Sequence, residues 1–225
     1  MNDLPAVALQ FIAFLFALSV HEAAHAWMAS RQGDDTARLL GRVTLNPTRH
    51  VELFGSIIFP IMMLLSGGWI FGWAKPTPVD VARLRHPKRD DILVTLAGPA
   101  SNLLLAVLAL GLLRLLLHAQ PVAAVAALNN LGHPQQSDSL WTPLTNLAFY
   151  SMEINLILAI FNLIPIPPLD GSHVLRHLLP RAWQGGYLWL LANPMVSLLL
   201  LLAVVYARIP GMMYSPVLHA FEMLL

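Results

Sequence analysis

The sequence predicts a polytopic α-helical membrane protein: about four full spans, a short re-entrant helix and a small membrane-associated β-sheet. Three observations lead there. Of 225 residues, 57% are hydrophobic and 11% charged, with a mean hydropathy of +0.65, whereas a soluble domain carries about 25% charged residues. The apolar residues gather into stretches long enough to cross a bilayer as helices. Lys and Arg crowd some of the intervening loops and are absent from another, the asymmetry that sets membrane orientation.

The first stretch, residues 4–30, has neither a basic leader nor an evident small-residue cleavage site, and it reads as a retained span rather than a removed signal peptide. The second, residues 53–65, is short for a span, carries Pro60 and ends at Ser66-Gly67-Gly68. Residues 92–118, 144–164 and 188–206 follow as further spans, the last expected to kink at Pro194. Residues 212–225, with His219 and Glu222, read as an amphipathic tail at the membrane surface.

Arg31, Arg38, Arg42 and Arg49 precede the short second stretch, and Lys75, Arg83, Arg85, Lys88 and Arg89 follow it. The loop at 119–143 has no Lys or Arg, and Arg176 and Arg181 lie between the last two spans. Two consecutive basic loops are reconciled if residues 53–65 dip into the membrane and return to the same side. The N-terminus and the 119–143 loop are then outside, and the basic loops cytoplasmic. Beside the dip, Gly41–Leu45 has β-branched residues near alternation before the Asn46-Pro47 turn. Phe71–Pro78 carries prolines at 76 and 78 that exclude a helix. Both pieces are therefore expected to be extended and to form the small sheet.

The chemistry begins in the first span, with His21-Glu22-Ala23-Ala24-His25. Residues four apart share a helix face, so both imidazoles can point at one ion, with Glu22 about 100° round the helix. Imidazole is a good zinc ligand, and a carboxylate beside zinc-bound water is a good general base. There is no cysteine, so any metal must use His, Asp, Glu or Asn. A catalytic zinc usually has three protein ligands plus water. Asp170 is the candidate third: Pro165, Pro167 and Pro168 break the helix before it, and its segment shares the cytoplasmic depth of the histidines. Taken alone, Asp170-Gly171 is an ordinary turn after a helix.

These residues match a pattern. HEAAH at 21–25, NLIPIPPLDG at 162–171, Ala97-Gly-Pro-Ala-Ser-Asn102 and GWAKPTPVD at 72–80 together resemble the site-2 protease family of intramembrane zinc metalloproteases, over most of residues 15–175. The resemblance implies one Zn2+ per chain on His21, His25 and Asp170, Glu22 as catalytic base, and Asn162 near the scissile carbonyl. It implies hydrolysis of peptide bonds in or near transmembrane segments of membrane proteins. The sheet would then offer an edge to an unwound substrate segment.

Only about 20 residues precede His21, and no PDZ or CBS module is present, so the chain resembles the compact bacterial or archaeal members. Residues 1–225 read as a single transmembrane metalloprotease domain in the cell membrane. Its partners would be the lipid bilayer and a transmembrane protein substrate, with no basic run to suggest nucleic acid. Two rival readings are an ion- or proton-coupled transporter using His21, Glu22, His25, Glu153 and Asp170, and a zinc-bound but inactive scaffold. The absence of matched halves disfavours the first, and Glu22 argues against the second. Elsewhere, His173 and His177 have the spacing for a second ion, His50 and His86 read as solvated or capping, and Gly98 and Ser101 as sites of close helix packing. Glu153 falls near the middle of a span, with no partner that the sequence identifies.

Overall fold

The computed structural model describes residues 4–66, 70, 72–131, 139–207 and 209–224. Helix α1, Leu4–Gln32, is free of Gly throughout and of Pro after its first turn, and it stops where Gly33 takes a φ of +111°, a left-handed value that suits glycine. Next comes the short helix α2, Thr36–Leu39. Asp34 sets its start, accepting from the Thr36 N–H at 3.0 Å and from its hydroxyl at 2.5 Å. The same carboxylate accepts from the distant Asp80 N–H at 2.7 Å.

A wide π-helical turn over Leu53–Ile58 runs into α3, Phe59–Leu65. Glu52 caps the turn by accepting from the Phe54 and Gly55 N–H groups at 3.2 and 2.6 Å. The chain then comes back beside its own starting point: Trp73 N–H donates to Gly55 O at 3.0 Å, and Lys75 N–H to His50 O at 2.8 Å. Helix α4, Pro87–Ala119, is followed by α5, Pro121–Asn129, and α6, Trp141–Asn162. After an irregular proline-rich turn come α7, Asp170–Leu178, α8, Arg181–Leu191, α9, Pro194–Tyr206, and α10, Ile209–Glu222.

Helices α1, α4 and α6 are long and apolar enough to cross a membrane, and they pack on one another. Ala13, Phe14, Ala17 and Leu18 of α1 bury against Tyr150 and Ile154 of α6. Ala17, Ala26, Ala29 and Ala106 are completely covered, as expected where small side chains let helices approach closely. Apolar side chains on the far side, such as Leu103, Leu104, Val107 and Leu108 of α4, are exposed, which suits contact with lipid.

The structure corrects four expectations. Among the described residues there is no strand and hence no β-sheet; Phe71, the first residue of one expected strand, lies outside them. The reason is that another donor has taken the acceptors. The buried Arg42 guanidinium donates to Pro76 O at 2.9 Å, to Lys75 O at 3.2 Å and to Arg49 O, so carbonyls that would build a ladder are bonded to a side chain. Gly41, at φ +70°, breaks the other expected strand at its first residue.

The expected fifth span is likewise two helices, α8 and α9, meeting at 97°. Pro194 opens α9 instead of kinking a continuous helix, because at the first position its missing N–H costs nothing. The tail does not lie free of the long helices: Tyr214, Val217, Leu218 and Phe221 of α10 pack on α4 and α6. This also gives Glu153 a partner, since Tyr214 Oη donates to its Oε1 at 3.3 Å. His50 is fully buried instead of solvated, with Nε2 against Thr44 O at 2.9 Å.

Asp34 ties α2 to the segment that follows the short apolar helix. Burial pushes its carboxyl up, but the hydrogen bonds from Thr36 and Asp80 outweigh that and hold it below the ordinary 3.8. A depressed carboxyl stabilises the fold fully above its ordinary value and loses that contribution as pH falls through the folded value. Replacing Asp34 with Ala should lower the thermal unfolding midpoint by a few degrees at neutral pH. The gap between the two proteins should narrow below pH 3.8.

Candidate metal centre

Helical spacing alone brings His21 and His25 onto one buried face of α1, with their Nε2 atoms 3.0 Å apart. What the helix cannot supply is room for two imidazoles against a packed neighbour. Gly98 of α4 supplies it: a Cβ there would overlap His25 Nε2 and the His21 ring. The third group arrives from the end of α6. Residues 163–169 turn the chain, and Asp170 begins α7. At Gly171 a Cβ would strike the Leu163 backbone, so only glycine lets the turn close and carry Asp170 inward. Its Oδ2 lies 3.2 Å from His21 Nε2 and 3.4 Å from His25 Nε2.

The far nitrogens decide what the near ones offer. On α6, Asn155 donates its amide to the backbone carbonyl of Ser151 at 2.8 Å, so its Oδ1 must face Asn102 of α4. Asn102 answers with its Nδ2 at 2.8 Å, which turns its own Oδ1 to His21 Nδ1 at 2.5 Å. An acceptor at Nδ1 requires the proton to be there. His25 Nδ1 likewise faces a carbonyl, Val94 O, at 2.8 Å. In the neutral tautomer this selects, both Nε2 atoms carry lone pairs, and they face each other and a carboxylate.

That arrangement fits a cation. Asp170 Oδ2 is buried and makes no hydrogen bond, a costly state unless a positive ion compensates. A tetrahedral zinc with bonds of about 2.05 Å puts its ligand atoms about 3.3 Å apart; the three separations here run from 3.0 to 3.4 Å. Among the described residues, His21, His25 and Asp170 form the group able to hold a metal.

The other candidates divide. Glu22 is buried beside the trio on α1, and its Oε2 accepts from Thr77, from the hydroxyl at 2.7 Å and from the N–H at 3.1 Å. Asn162 closes α6, two turns beyond Asn155 and so near the same face. Its amide donates to Leu158 O at 3.0 Å and not to the trio. His177 Nε2 lies 2.6 Å from the buried Asp91 of α4, to which Arg176 also donates at 3.1 Å. Among the described residues, His173 and His177 are not in a group placed to hold an ion; His177 instead clamps α7, and with it Asp170, onto α4. Sequence reasoning missed Asn102, Asn155 and Thr77 as parts of this site. For the asparagines the available signal was an amide in mid-span, which lipid-facing helices avoid.

Residues 9–202 match the family model described as peptidase family M50. Over 169 residues the chain is 39% identical to the Bacillus subtilis (strain 168) protein named "Putative zinc metalloprotease YwhC", covering 75% of this chain and 68% of that one. It is 33% identical over 176 residues to "Putative zinc metalloprotease Rip2" of Mycolicibacterium smegmatis. To Rip2 of Mycobacterium tuberculosis (strain Erdman) it is 34% identical over 181 residues. These two alignments take in 76% of this chain but 58% of each mycobacterial protein. No solved structure matches the chain.

Two substitutions away from the trio should weaken metal retention. Asn102→Ala removes the acceptor that orients His21, and zinc affinity measured by competition with a chelating dye should fall about 10- to 100-fold. Gly98→Ala should reduce zinc content further, because the added methyl occupies the space of the rings.

Proposed function

The chain belongs to peptidase family M50, the site-2 protease family, and on that premise we propose how its residues divide the chemistry. It is an intramembrane zinc metalloprotease whose substrates are membrane proteins. His21, His25 and Asp170 hold the metal, Glu22 is the general base, and residues 1–225 act as one transmembrane domain. The observation that carries this assignment is the convergence of two imidazole lone pairs and an otherwise unbonded carboxylate oxygen on one point.

Zinc held by His21, His25 and Asp170 would lower the pKa of a water to near 7 and polarise the scissile carbonyl. Glu22 would accept the proton of the attacking water and pass it to the leaving amine. Asn162 swings its amide from Leu158 O to the carbonyl oxygen as negative charge develops there, a contribution of ~3 kcal/mol in comparable sites. Asn102 and Val94 keep the protons on Nδ1, so neither ligand drifts to the wrong tautomer during turnover.

The bond cut lies in or near a transmembrane segment of the substrate. In an intact helix that bond is shielded, so the local turn must unwind before Glu22 can act on it. The active site faces the cytoplasm. The basic loops support this, as do the Trp73–Gly55 and Lys75–His50 hydrogen bonds that bring the chain after the short apolar helix back beside the start of that helix.

Glu22→Gln should keep zinc but lose cleavage of a model transmembrane substrate by about 100-fold or more; near-normal turnover in this variant rejects Glu22 as base. Asp170→Ala should instead lose zinc, and full occupancy by elemental analysis would point to another third ligand.

Orientation can be read without a substrate, because the chain has no native cysteine. With single cysteines at Ser137 and Arg85, an impermeant thiol reagent added to intact cells should label position 137 and spare 85. The reverse pattern inverts the topology, and equal labelling removes the re-entrant dip.

A further inference from the structure

A carboxylate that shuttles a proton must hold one oxygen towards the water throughout the reaction. Glu22 has a freely rotating side chain, and α1 offers nothing to stop it turning. The restraint comes from a segment 55 residues away. Thr77 lies between Pro76 and Pro78, so its N–H is the single backbone donor of that three-residue run. That donor goes to Glu22 Oε2 at 3.1 Å, and the Thr77 hydroxyl goes to the same oxygen at 2.7 Å. The hydroxyl also lies 3.3 Å from Glu22 O, but its one proton follows the shorter contact. Both bonds fall on Oε2, which leaves Oε1 for the water.

The segment itself is held. Prolines at 76 and 78 restrict their own φ and keep Lys75 and Thr77 out of the helical region. Arg42, 6% exposed, donates to the carbonyls of Lys75 and Pro76, the two residues immediately before Thr77. Lys75 N–H is fixed on His50 O at 2.8 Å. A guanidinium forked between carbonyls has a geometry that an ammonium cannot reproduce.

We propose that Thr77 is the positioning residue for Glu22, fixing the rotamer of the general base through its hydroxyl and N–H, and that Arg42 holds the Pro-Thr-Pro bridge that presents it. The proposal rests on the reading of Glu22 as base, and its test carries a readout independent of cleavage. In the full chain in detergent, the infrared carboxylate band of Glu22 is identified by its loss in Glu22→Gln. Thr77→Val keeps the side-chain shape and the backbone N–H but removes the hydroxyl; it should shift that band, whereas Thr77→Ser should leave it in place. An unmoved band in Thr77→Val overturns the proposal whether or not any substrate is cut.

Kinetics on a fluorogenic peptide with an apolar span and a Gly-Pro interruption supply the second arm. Thr77→Val should lower kcat about tenfold or more, the loss of a hydrogen bond to a charged acceptor, with KM and zinc content within about twofold. Thr77→Ser should recover most of the rate, and Arg42→Lys should resemble Thr77→Val. In the Glu22→Gln background Thr77→Val should cost nothing further, since its effect passes through Glu22. An equal kcat loss in the Val and Ser variants, or a full additional loss in that background, makes Thr77 merely structural. Absence of cleavage by the wild-type chain, with the band shift present, would instead fail the functional reading and leave the positioning contact standing.

Discussion

Two neutral imidazoles with lone pairs facing each other 3.0 Å apart repel, and a carboxylate oxygen beside them adds to the negative potential. A cation held among the three would offset that repulsion. Much of the surrounding structure serves that convergence. Gly98 leaves the rings their space, Asn102 and Val94 hold the Nδ1 protons, and Asp91 clamps the helix that carries the third group. These contacts tie α1, α4 and α7 into one unit, which steadies the helix start that carries Asp170.

The Ser151–Asn155–Asn102–His21 chain shows why buried amides are worth their desolvation. Each amide has a donor end and an acceptor end, and fixing one end fixes the next. A backbone carbonyl on α6 thereby selects the tautomer of a histidine on α1, two helices away. An apolar side chain at position 102 would pack as well but would carry no such information.

Irregular backbone poses the opposite problem, because residues 40–52 and 72–80 lack the ladder that would satisfy their polar groups. Side chains do it. Arg42 takes three carbonyls, Glu52 takes two N–H groups, Ser56 donates to Trp73 O at 2.7 Å, and Asp34 bridges Thr36 and Asp80. This is a tertiary solution to a requirement that a sheet would have met locally. It also makes Glu22 answerable to a distant segment, through Thr77.

The sequence by itself determined the membrane class, the three long helices within a few residues of their ends, and the pairing of His21 with His25, because helical periodicity and apolar length are short-range properties of the chain. The proline break before it made Asp170 a candidate, the pattern shared with the site-2 protease family strengthened that reading, and the structure brings it to the two histidines. The tertiary structure alone decided the rest. Whether Gly41–Leu45 and residues 72–78 become strands depends on what reaches their carbonyls, and Arg42, distant in sequence from Pro76, reached them first. Residues 188–206 fold at 97° where α8 stops and Pro194 opens α9, a bend whose angle the residues beside it do not specify. The partners of Glu153, His177, Asn102 and Glu22 lie 61, 86, 81 and 55 positions along the chain. Such contacts leave no periodic trace, because they are fixed by which helices pack together and not by the residues beside them.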